Sequence, residues 1–266
     1  MSFVRKKRSF SFSLYSSFSS VDSNSSNKSM FSNSIFRAIH ENNIFKLSSL
    51  FVQYEQNVEI FNQPNKLSVT PLILAISLDR LECIKTLIDI GVDVNKVDGL
   101  QNTPLHIACM DGKHKIIKLL LDAPKIEMNA LNCFNECPLL SACSSNDILC
   151  VQTLLDYNAY QHRRDSKGNN AIHIASEYGN IEIIQLLLSR GVLINCRNAK
   201  GKTPLYVACV EKQLKTVVFL LERGADANIP DGDGRTPLLA CYEPKIKQIL
   251  RKFGGLLLLD SSGTVM

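Results

Sequence analysis

Two histidines recur at the same place in a repeated phrase of this sequence: His106 lies in TPLHIAC, and His173 lies in NAIHIAS. Imidazole side chains often act as general acids or bases near neutral pH, so one hypothesis is a catalytic histidine pair. The alternative is that both are structural. Catalysis would need further motifs, and the sequence contains no serine nucleophile elbow, no His-Glu-x-x-His helix and no phosphate-binding glycine loop. The sequence therefore predicts a chain that is not an enzyme.

The nine cysteines are the other residues that could do chemistry. Cys133 and Cys137 have a spacing at which two thiolates could bind zinc, but no second matched pair accompanies them. Most of the others stand at recurring positions that suit small apolar packing residues; these are Cys83, Cys109, Cys143, Cys150 and Cys209. We therefore predict free thiols in a reducing compartment, with no bound metal and no cofactor.

Bulk composition is typical of a soluble folded protein. The chain has 266 residues, 45% of them hydrophobic, and a formal net charge of +5. That charge is too small to predict nucleic-acid binding on its own. The longest uninterrupted aliphatic run, residues 256–259, is too short to span a bilayer, and no secretory signal is recognisable. We expect a cytoplasmic monomer that does not bind nucleic acid directly, with the nucleus as an alternative location.

The elements that would position these side chains follow from an internal repeat. A phrase close to TPLHIAC occurs six times, and its first residue, here called the anchor, recurs at intervals of 33 or 34 residues. The anchors are Thr70, Thr103, Cys137, Asn170, Thr203 and Thr236. An Asp or Asn stands five residues before each anchor, and a glycine stands two residues before three of them, as at Gly168.

Each recurring residue type has a physical reason. Thr or Asn before a proline starts a helix, because its side-chain oxygen caps a free N–H and proline fits the first helical position. Asp or Asn followed by Gly forms a tight turn, since both residue types tolerate left-handed dihedral angles. A second apolar run ends at a glycine such as Gly91, which suits a left-handed helix cap. Each repeat is thus predicted to be a turn, a short helix, a loop and a second helix.

This pattern resembles the ankyrin repeat. The family motif T-P-L-H-x-A stands here as TPLHIA at residues 103–108, and GVDVN at 91–95 and GADAN at 224–228 resemble the turn that leads into the next repeat. The resemblance implies an all-α fold, an ankyrin-repeat solenoid of about seven stacked helix pairs with projecting β-turn fingers. It also implies that His106 and His173 bond to the backbone of a neighbouring turn.

The resemblance covers roughly residues 35–255, with repeats near residues 35–64, 65–97, 98–131, 132–164, 165–197, 198–230 and 231–255. A Ser- and Asn-rich basic tail, predicted to be disordered, precedes them at 1–34, and a second tail follows at 256–266. Asn33 is the predicted anchor of the first repeat, and Pro244 shortens the last one. Pro124 and the replacement of the capping Thr by Cys137 predict a local irregularity between the third and fourth helix pairs.

By resemblance to the family, partner contacts fall on the turn tips and on the inner ends of the first helices. The residues predicted to bind a partner protein are Leu67, Leu100, Met110, Phe134, Glu136, Lys167, Glu177, Tyr178, Lys200, Lys202 and Arg235. Val69, Leu78 and Asn102 are also expected to face solvent. Because the N-terminal members are mainly apolar and the C-terminal ones mainly basic, we hypothesise a partner segment with an apolar anchor and an acidic end. The alternative is that the leucines pack against neighbouring turns.

The basic run at Arg5, Lys6, Lys7 and Arg8 leaves several interpretations open. It is a solvated charge cluster, a nuclear-import signal, or a membrane-surface or organelle-targeting segment, and the aromatic residues around it fit the last of these. Ser9 and Ser11 follow the run, and phosphorylation there would reduce the local positive charge. Near the other end, Thr264 stands two residues before Met266, a spacing that resembles a ligand for PDZ domains.

The predicted function is a non-catalytic protein-interaction scaffold or adaptor that binds another protein on the concave face of the solenoid. One alternative is an inhibitor or targeting protein whose basic N-terminal tail docks to a membrane or to nucleic acid. Another is a regulatory subunit of an enzyme complex. No residue in the sequence chooses between these functions.

Overall fold

The computed structural model describes residues 27–255 except Asn146, with side chains from residue 33 onward, and every regular element in that range is an α-helix. None of these helices is both long enough and apolar enough to cross a bilayer. The predictions made for the basic run Arg5–Arg8, for Ser9 and Ser11 and for Thr264 lie outside the described residues. The chain forms two compact units, here called the N-terminal unit and the C-terminal unit, which divide between Cys133 and Phe134.

The N-terminal unit stacks helix pairs in chain order. Its helices are α1 Asn27–His40, α2 Ile44–Gln53, α3 Val58–Phe61, α4 Pro71–Ser77, α5 Leu81–Ile90, α6 Pro104–Met110 and α7 His114–Leu121. The first helices of successive repeats, α1, α4 and α6, pack side by side, and α2 packs against α5 in a second layer. Each first helix also contacts the second helix of its own repeat, so every repeat buries its apolar faces against its neighbours.

The C-terminal unit is built in the same way. Its helices are α8 Pro138–Cys143, α9 Ile148–Asp156, α10 Ala171–Tyr178, α11 Ile181–Ser189, α12 Pro204–Val210, α13 Leu214–Glu222, α14 Pro237–Ala240 and α15 Pro244–Lys252. The inner layer is α8, α10, α12 and α14, and the outer layer is α9, α11, α13 and α15. The two layers place the turn that precedes each first helix next to the corresponding turn of the following repeat.

The helix starts follow the predicted physical reasons. Thr70, Thr103 and Thr203 each accept a hydrogen bond from the backbone N–H three residues later, with proline at the first helical position. Alanines in the fifth position after the anchor are fully buried, which lets neighbouring first helices approach closely; they are Ala75, Ala108, Ala142, Ala175 and Ala208. Three second helices, α5, α11 and α13, end at left-handed glycines as predicted, at Gly91, Gly191 and Gly224.

The first repeat differs from the prediction. Asn33 is not a helix cap, because α1 begins at Asn27 and Asn33 lies inside it. No proline follows Asn33, so nothing in the local sequence forces the helix to start there. The repeat also contains the short helix α3, which was not predicted; Asn57 caps it, and Phe61 packs edge-to-face on Phe51 at 5.6 Å between ring centroids.

The other two predicted departures are confirmed. Helix α7 ends at Leu121 with its cap residue Asp122 in the right-handed region rather than at a left-handed glycine, and Lys125 has φ 61°. Cys137 makes no side-chain hydrogen bond at the start of α8. In the last repeat α14 is only four residues long, and α15 begins at Pro244.

Candidate functional site

The turn before each anchor, here called a finger, is built around one Asp or Asn side chain. In the N-terminal unit Asp98 Oδ1 accepts the backbone N–H groups of Leu100 and Asn102, both at 2.8 Å. In the C-terminal unit Asp165 Oδ1 accepts those of Lys167 and Asn169, again at 2.8 Å. The same pair of bonds is formed at Asn65, Asn198 and Asp231. The predicted tight turn is therefore confirmed, with the side chain as its frame.

The residue two before each anchor is left-handed in every finger. Ser68 and Gln101 adopt φ 59° and 61° in the N-terminal unit, whereas Gly168 adopts φ 75° in the C-terminal unit. A Cβ on Gly168 would lie 2.4 Å from the backbone nitrogen of Ala199 on the next finger. The close approach of that finger requires glycine there, and the left-handed dihedral angle favours it.

Successive fingers are joined by single backbone hydrogen bonds. Cys133 N donates to Leu100 O at 3.0 Å in the N-terminal unit. In the C-terminal unit the bonds run from Ala199 N to Lys167 O at 3.2 Å and from Gly232 N to Lys200 O at 2.8 Å. We call the residue two after the Asp or Asn the tip residue; the tips are Leu67, Leu100, Phe134, Lys167, Lys200 and Asp233. Because the bonds that fix the finger are made by its backbone, the residue type at the tip can differ from repeat to repeat.

A buried chain of amides lies behind the fingers, and sequence reasoning missed it. Asn102 Nδ2 donates to Asp98 Oδ2 at 3.0 Å, and Asn132 Nδ2 donates to Asn102 Oδ1 at 2.9 Å. The prediction that Asn102 faces solvent is wrong, because these bonds turn its side chain inward and leave it 4% exposed. The C-terminal unit repeats the arrangement with Asn169, which bonds to Asp165 and accepts from Asn198. The signal was an Asn directly before the anchor in both repeats.

The predicted partner-binding residues divide into two groups by exposure. Exposed side chains are Leu67, Leu100, Lys167, Lys200 and Arg235, and half-buried ones are Met110, Phe134, Glu136, Glu177, Tyr178, Lys202 and also Leu78. Val69 was expected to face solvent but is 1% exposed. Its N–H bonds to the Asn65 side chain and its carbonyl accepts from Asn65 N, which directs the valine side chain into the core.

In the C-terminal unit the structure brings Glu136, Lys167 and Glu177 within electrostatic range of one another. Burial raises the pKa of Glu177, the nearby Glu211 carboxylate raises it further, and the Lys167 ammonium opposes both effects. A second group forms around Tyr206, with Lys202 Nζ 5.0 Å from its ring centroid. Arg235 lies 3.8 Å from the Asp233 carboxylate, which belongs to the last finger tip.

The histidines are structural side chains of the fingers. His173 Nε2 donates to Lys202 O at 3.0 Å, as the resemblance implied, and its Nδ1 lies 2.6 Å from Asn170 Oδ1. Burial lowers the pKa of His173 to about 4, so the ring is neutral at pH 7. His106 Nδ1 accepts from Thr103 N at 3.2 Å. Tyr206 takes the same position in a later repeat and donates its hydroxyl to Asp231 Oδ2.

One cluster has the residue types of a cysteine nucleophile with its base. Cys196 Sγ lies 3.9 Å from His173 Nδ1 and 3.7 Å from Asn170 Oδ1. An active pair would need a lowered thiol pKa and a histidine that binds a proton readily. Here burial raises the pKa of Cys196 and lowers that of His173, so the thiolate–imidazolium pair is disfavoured at neutral pH.

The cysteines of the described chain are free thiols, most of them buried. Burial raises the pKa of Cys143, and it raises that of Cys150 to about 12, so both stay protonated at neutral pH. Cys133 is exposed, whereas Cys137 is fully buried at the start of α8. Between residues 27 and 255, Asn146 apart, no three His, Cys, Asp or Glu side chains are arranged to hold a metal ion.

A further recurring position, ten residues after the anchor, was not recognised from the sequence. Its side chain donates to a carbonyl near the end of the first helix in the preceding repeat. Lys113 Nζ bonds to Ser77 O at 3.1 Å, Asn180 Nδ2 to Cys143 O at 2.8 Å, and Gln213 Nε2 to Glu177 O at 2.9 Å. The residue type changes each time, so no motif was visible, although each side chain caps helix carbonyls.

Comparison with known protein families matches the description "Ankyrin repeats (3 copies)" to residues 90–165 and 158–231, and "Ankyrin repeat" to residues 69–99. Among solved structures, the ankyrin repeat domain of Bcl-3, a unique member of the IkappaB protein family, is similar with a TM-score of 0.71 and 25% identity over 87% of this chain and 100% of that one. The human ASB11 ankyrin repeat domain is similar with a TM-score of 0.65 and 31% identity, covering 74% of this chain and 89% of that one.

Curated relatives match over shorter stretches. The probable E3 ubiquitin-protein ligase XBOS32 of Oryza sativa subsp. japonica is 39% identical over 83 residues, which are 31% of this chain and 16% of XBOS32. Inversin of Canis lupus familiaris is 30% identical over 128 residues, 47% of this chain and 12% of inversin. The chain thus spans a small part of these relatives' length. Ankyrin repeats are protein-interaction domains and are generally non-catalytic. Because the family matches run without a gap over residues 69–231, this chain belongs to the ankyrin repeat family.

Proposed function

We propose that this chain is a non-catalytic scaffold or adaptor whose partner protein binds the finger tips and the adjoining inner ends of the first helices. The proposal rests on the observation that hydrogen bonds hold the backbone of a finger in place while the side chain at its tip is exposed. The backbone N–H of Lys167 is bound by Asp165 and its carbonyl by Ala199, while its side chain is exposed. The same holds at Lys200. Tip side chains can therefore be chosen for recognition at little cost in stability.

The chemistry of the tips suggests what each unit binds. In the N-terminal unit Leu67 and Leu100 are 49% and 45% exposed on neighbouring fingers, which suits an apolar segment. In the C-terminal unit Lys167 and Lys200 present two ammonium groups on successive fingers, which suits carboxylates of a partner. Phe134 is half-buried and offers an aromatic contact beside them.

The other features of the proposal rest on the sequence. We expect a monomer located in the cytoplasm or the nucleus, and a function that does not depend on a cofactor. A second candidate function is targeting by the basic run Arg5–Arg8, either to a membrane surface or into the nucleus. Deleting residues 1–26 leaves α1 intact and separates the two functions. A change of location with partner binding retained would support targeting as an added role.

The test is partner capture with the full chain as bait, followed by quantification of the captured proteins for matched variants. Leu67→Ser with Leu100→Ser alters the apolar tips, and Lys167→Glu with Lys200→Glu alters the basic tips. The matched controls are Val52→Ser on α2, which is 70% exposed, and Lys215→Glu on α13, which is exposed. We expect tip variants to lose a partner that both controls retain, with unchanged circular dichroism and melting temperature.

Equal recovery by the tip variants and by their controls would contradict the proposal. Loss of the partner only on deleting residues 1–26 would move the interaction to the tail and leave the repeats as a spacer.

A further inference from the structure

The turn that leaves each second helix, here called the exit turn, has the same backbone in several repeats. It begins with a left-handed residue directly after the helix cap or at it: Gly91 with φ 91°, Asn158 with φ 64°, Gly191 with φ 83° and Gly224 with φ 85°. The residue two positions later is therefore structurally equivalent in each repeat. These equivalent residues are Asp93, Tyr160, Leu193 and Asp226.

The aspartates at this position stabilise their own turns. Asp93 Oδ1 accepts the backbone N–H of Asn95 at 2.9 Å, and Asp226 Oδ1 accepts that of Asn228 at 2.8 Å. Aspartate thus supplies a side-chain bond within the turn and remains hydrated. An apolar residue at the position forgoes that bond.

Two consecutive repeats of the C-terminal unit nevertheless carry apolar side chains there. Tyr160 is 54% exposed, and Leu193 is 75% exposed. Gln161 Nε2 donates to Arg190 O at 3.2 Å, which holds the two exit turns side by side. Because Leu193 is largely exposed and an aspartate would bond to the turn, fold stability does not account for the leucine at this position. Exposed apolar residues of this kind indicate a contact surface.

A cavity of about 310 Å³ opens beside Tyr160. Its lining combines apolar residues with polar ones: Leu155, Ala159 and Tyr160 with Asn158, Gln161, His162 and Arg190. The cavity lies at the small end of the range of ligand pockets, a size that suits one or two side chains. The rings of Tyr160 and His162 meet edge-to-face with centroids 5.9 Å apart, and this contact supports the lining.

The charge around this cavity is positive. Arg163, Arg164, Arg190 and Arg197 lie in or next to the two exit turns and are exposed. Arg164 and Arg197 are fastened to backbone carbonyls and keep their charge. The Asp156 carboxylate forms an ion pair with Arg190 at 2.7 Å and also accepts from Gln152 at 2.7 Å, so it offsets one of these four positive charges. Arginine-rich surroundings favour a ligand that carries carboxylates.

We propose that the exit turns of Tyr160 and Leu193 form a second docking surface, separate from the finger tips, for an acidic protein segment that carries an apolar side chain. The apolar side chain enters the cavity against Leu155 and Tyr160, and the flanking carboxylates face Arg163 and Arg190. Leu193 extends the apolar contact onto the next repeat. The surface is independent of the tip surface, so one scaffold holds two partners.

The test starts from a displayed library of random peptides selected on the full chain. The peptides that are enriched are labelled, and their dissociation constants are measured by fluorescence anisotropy. We expect enriched peptides to combine Leu, Ile, Met or an aromatic residue with at least two acidic residues. Selection that yields only peptides without this combination would overturn the proposal.

The decisive variant is Tyr160→Asp with Leu193→Asp, because it introduces the residue that equivalent turns already use and should therefore fold. It is expected to weaken binding of the selected peptide at least about tenfold. Leu67→Asp with Leu100→Asp is the matched control, since it alters two exposed apolar residues on the tips. Binding lost with the control and retained with the exit-turn variant would overturn this proposal and support the tip surface instead.

The acidic component is tested by removing charge. Arg163→Gln with Arg190→Gln should weaken the acidic peptide several-fold and reduce its salt dependence. Lys215→Gln with Lys245→Gln makes the same change in net charge at exposed sites on α13 and α15 and should leave the affinity within about twofold. Equal effects of the two pairs would show non-specific attraction and overturn the proposed contact.

Discussion

The N-terminal and C-terminal units build their fingers with the same hydrogen bonds and place different side chains at the tips. Asp98 and Asp165 each hold two backbone N–H groups at 2.8 Å, and each is backed by a buried Asn. Yet one frame presents Leu100, whereas the other presents Lys167. We infer from this difference that the backbone and the Asp side chain stabilise each turn, whereas the tip side chain serves recognition.

The two units also differ at the left-handed position of the finger. Ser68 and Gln101 occupy it in the N-terminal unit, so that unit tolerates a side chain there. In the C-terminal unit Asn135 also carries a side chain there, but at Gly168 the next finger approaches so closely that a Cβ would meet its backbone. The finger frames are thus alike in hydrogen bonding but differ in how tightly successive fingers pack.

The largest expected effect breaks that packing. Gly168→Ala should lower the free energy of unfolding by about 2–4 kcal/mol, from left-handed strain and the contact with Ala199. Ser68→Gly, which relieves the same strain in the N-terminal unit, should leave stability unchanged or raise it by up to about 1 kcal/mol. Urea unfolding of both variants measures the contrast. A Gly168→Ala protein as stable as the parent would show that the close approach is not maintained.

The next effect is a pH dependence that arises from His173 in the C-terminal unit. Burial lowers the pKa of His173 to about 4, below its ordinary value of about 6.5. The unfolded chain therefore takes up the proton first as pH falls, so stability present above pH 6.5 is lost progressively down to pH 4. The loss attributable to this group is about 3 kcal/mol.

Urea unfolding between pH 7 and pH 4.5 tests this assignment. His173→Gln should flatten the pH dependence relative to the parent chain. His162→Gln, which alters an exposed histidine of the same unit, should not change it. Parallel curves for the parent and His173→Gln would rule out the buried neutral imidazole.

An intermediate effect comes from the buried amides that the two units share. Asn102→Ala and Asn169→Ala each remove a hydrogen bond to the finger carboxylate and a hydrogen bond from a neighbouring Asn side chain, which should cost about 1–3 kcal/mol. The comparison predicts losses that agree within about 1 kcal/mol, because the bonded geometry is the same in both units. A loss confined to one unit, measured by urea unfolding, would show that only one of the networks supports its finger.

A smaller effect concerns the cap that the C-terminal unit lacks at its first helix. Cys137 makes no cap bond, whereas Thr103 bonds to the N–H of His106. Cys137→Thr should therefore raise the unfolding free energy by about 1 kcal/mol, and Thr103→Cys should lower it by a similar amount. Thermal unfolding of the two variants checks the sign. Destabilisation by Cys137→Thr would mean that burial of the thiol outweighs the missing cap.

The repeated positions could be predicted from the sequence because each has a local cause. The caps at Thr70 and Thr203, the left-handed Gly168 and the shortened last repeat all follow from residue type and spacing. Val69 and Asn102 could not be placed, because the direction of a side chain within an irregular turn depends on which hydrogen bonds the turn makes. Asn33 was misplaced because the first repeat does not copy the repeated phrase, and its first helix begins earlier, at Asn27.

The candidate surfaces were harder to predict than the frame. Leu67 and Lys167 were named as tips because they stand at a fixed offset from a turn residue. Tyr160 and Leu193 were missed, since their meaning appears only when the equivalent aspartates are seen to bond within their own turns. The period of the sequence repeat identifies which residues are equivalent. The hydrogen bonds of the structure then show at which of these positions the side chain does not stabilise the fold.

The smallest expected effect on stability is at the tips themselves. Leu100→Lys and Lys167→Leu exchange the tip chemistry of the two units while keeping both finger frames. Each should change the unfolding free energy by no more than about 0.5 kcal/mol, because the tip side chain is exposed and the backbone bonds remain. A decrease in the unfolding free energy comparable to that of Asn169→Ala, measured in the same urea titration, would show that the tip side chains stabilise the finger.

The central claim is tested most directly by a single protein that carries both exchanges, Leu100→Lys and Lys167→Leu, with unfolding and partner capture measured on the same preparation. We expect an unfolding midpoint equal to that of the parent chain together with loss of the captured partner. Retention of the partner at parental levels, with the fold intact, would contradict the assignment of recognition to the finger tips.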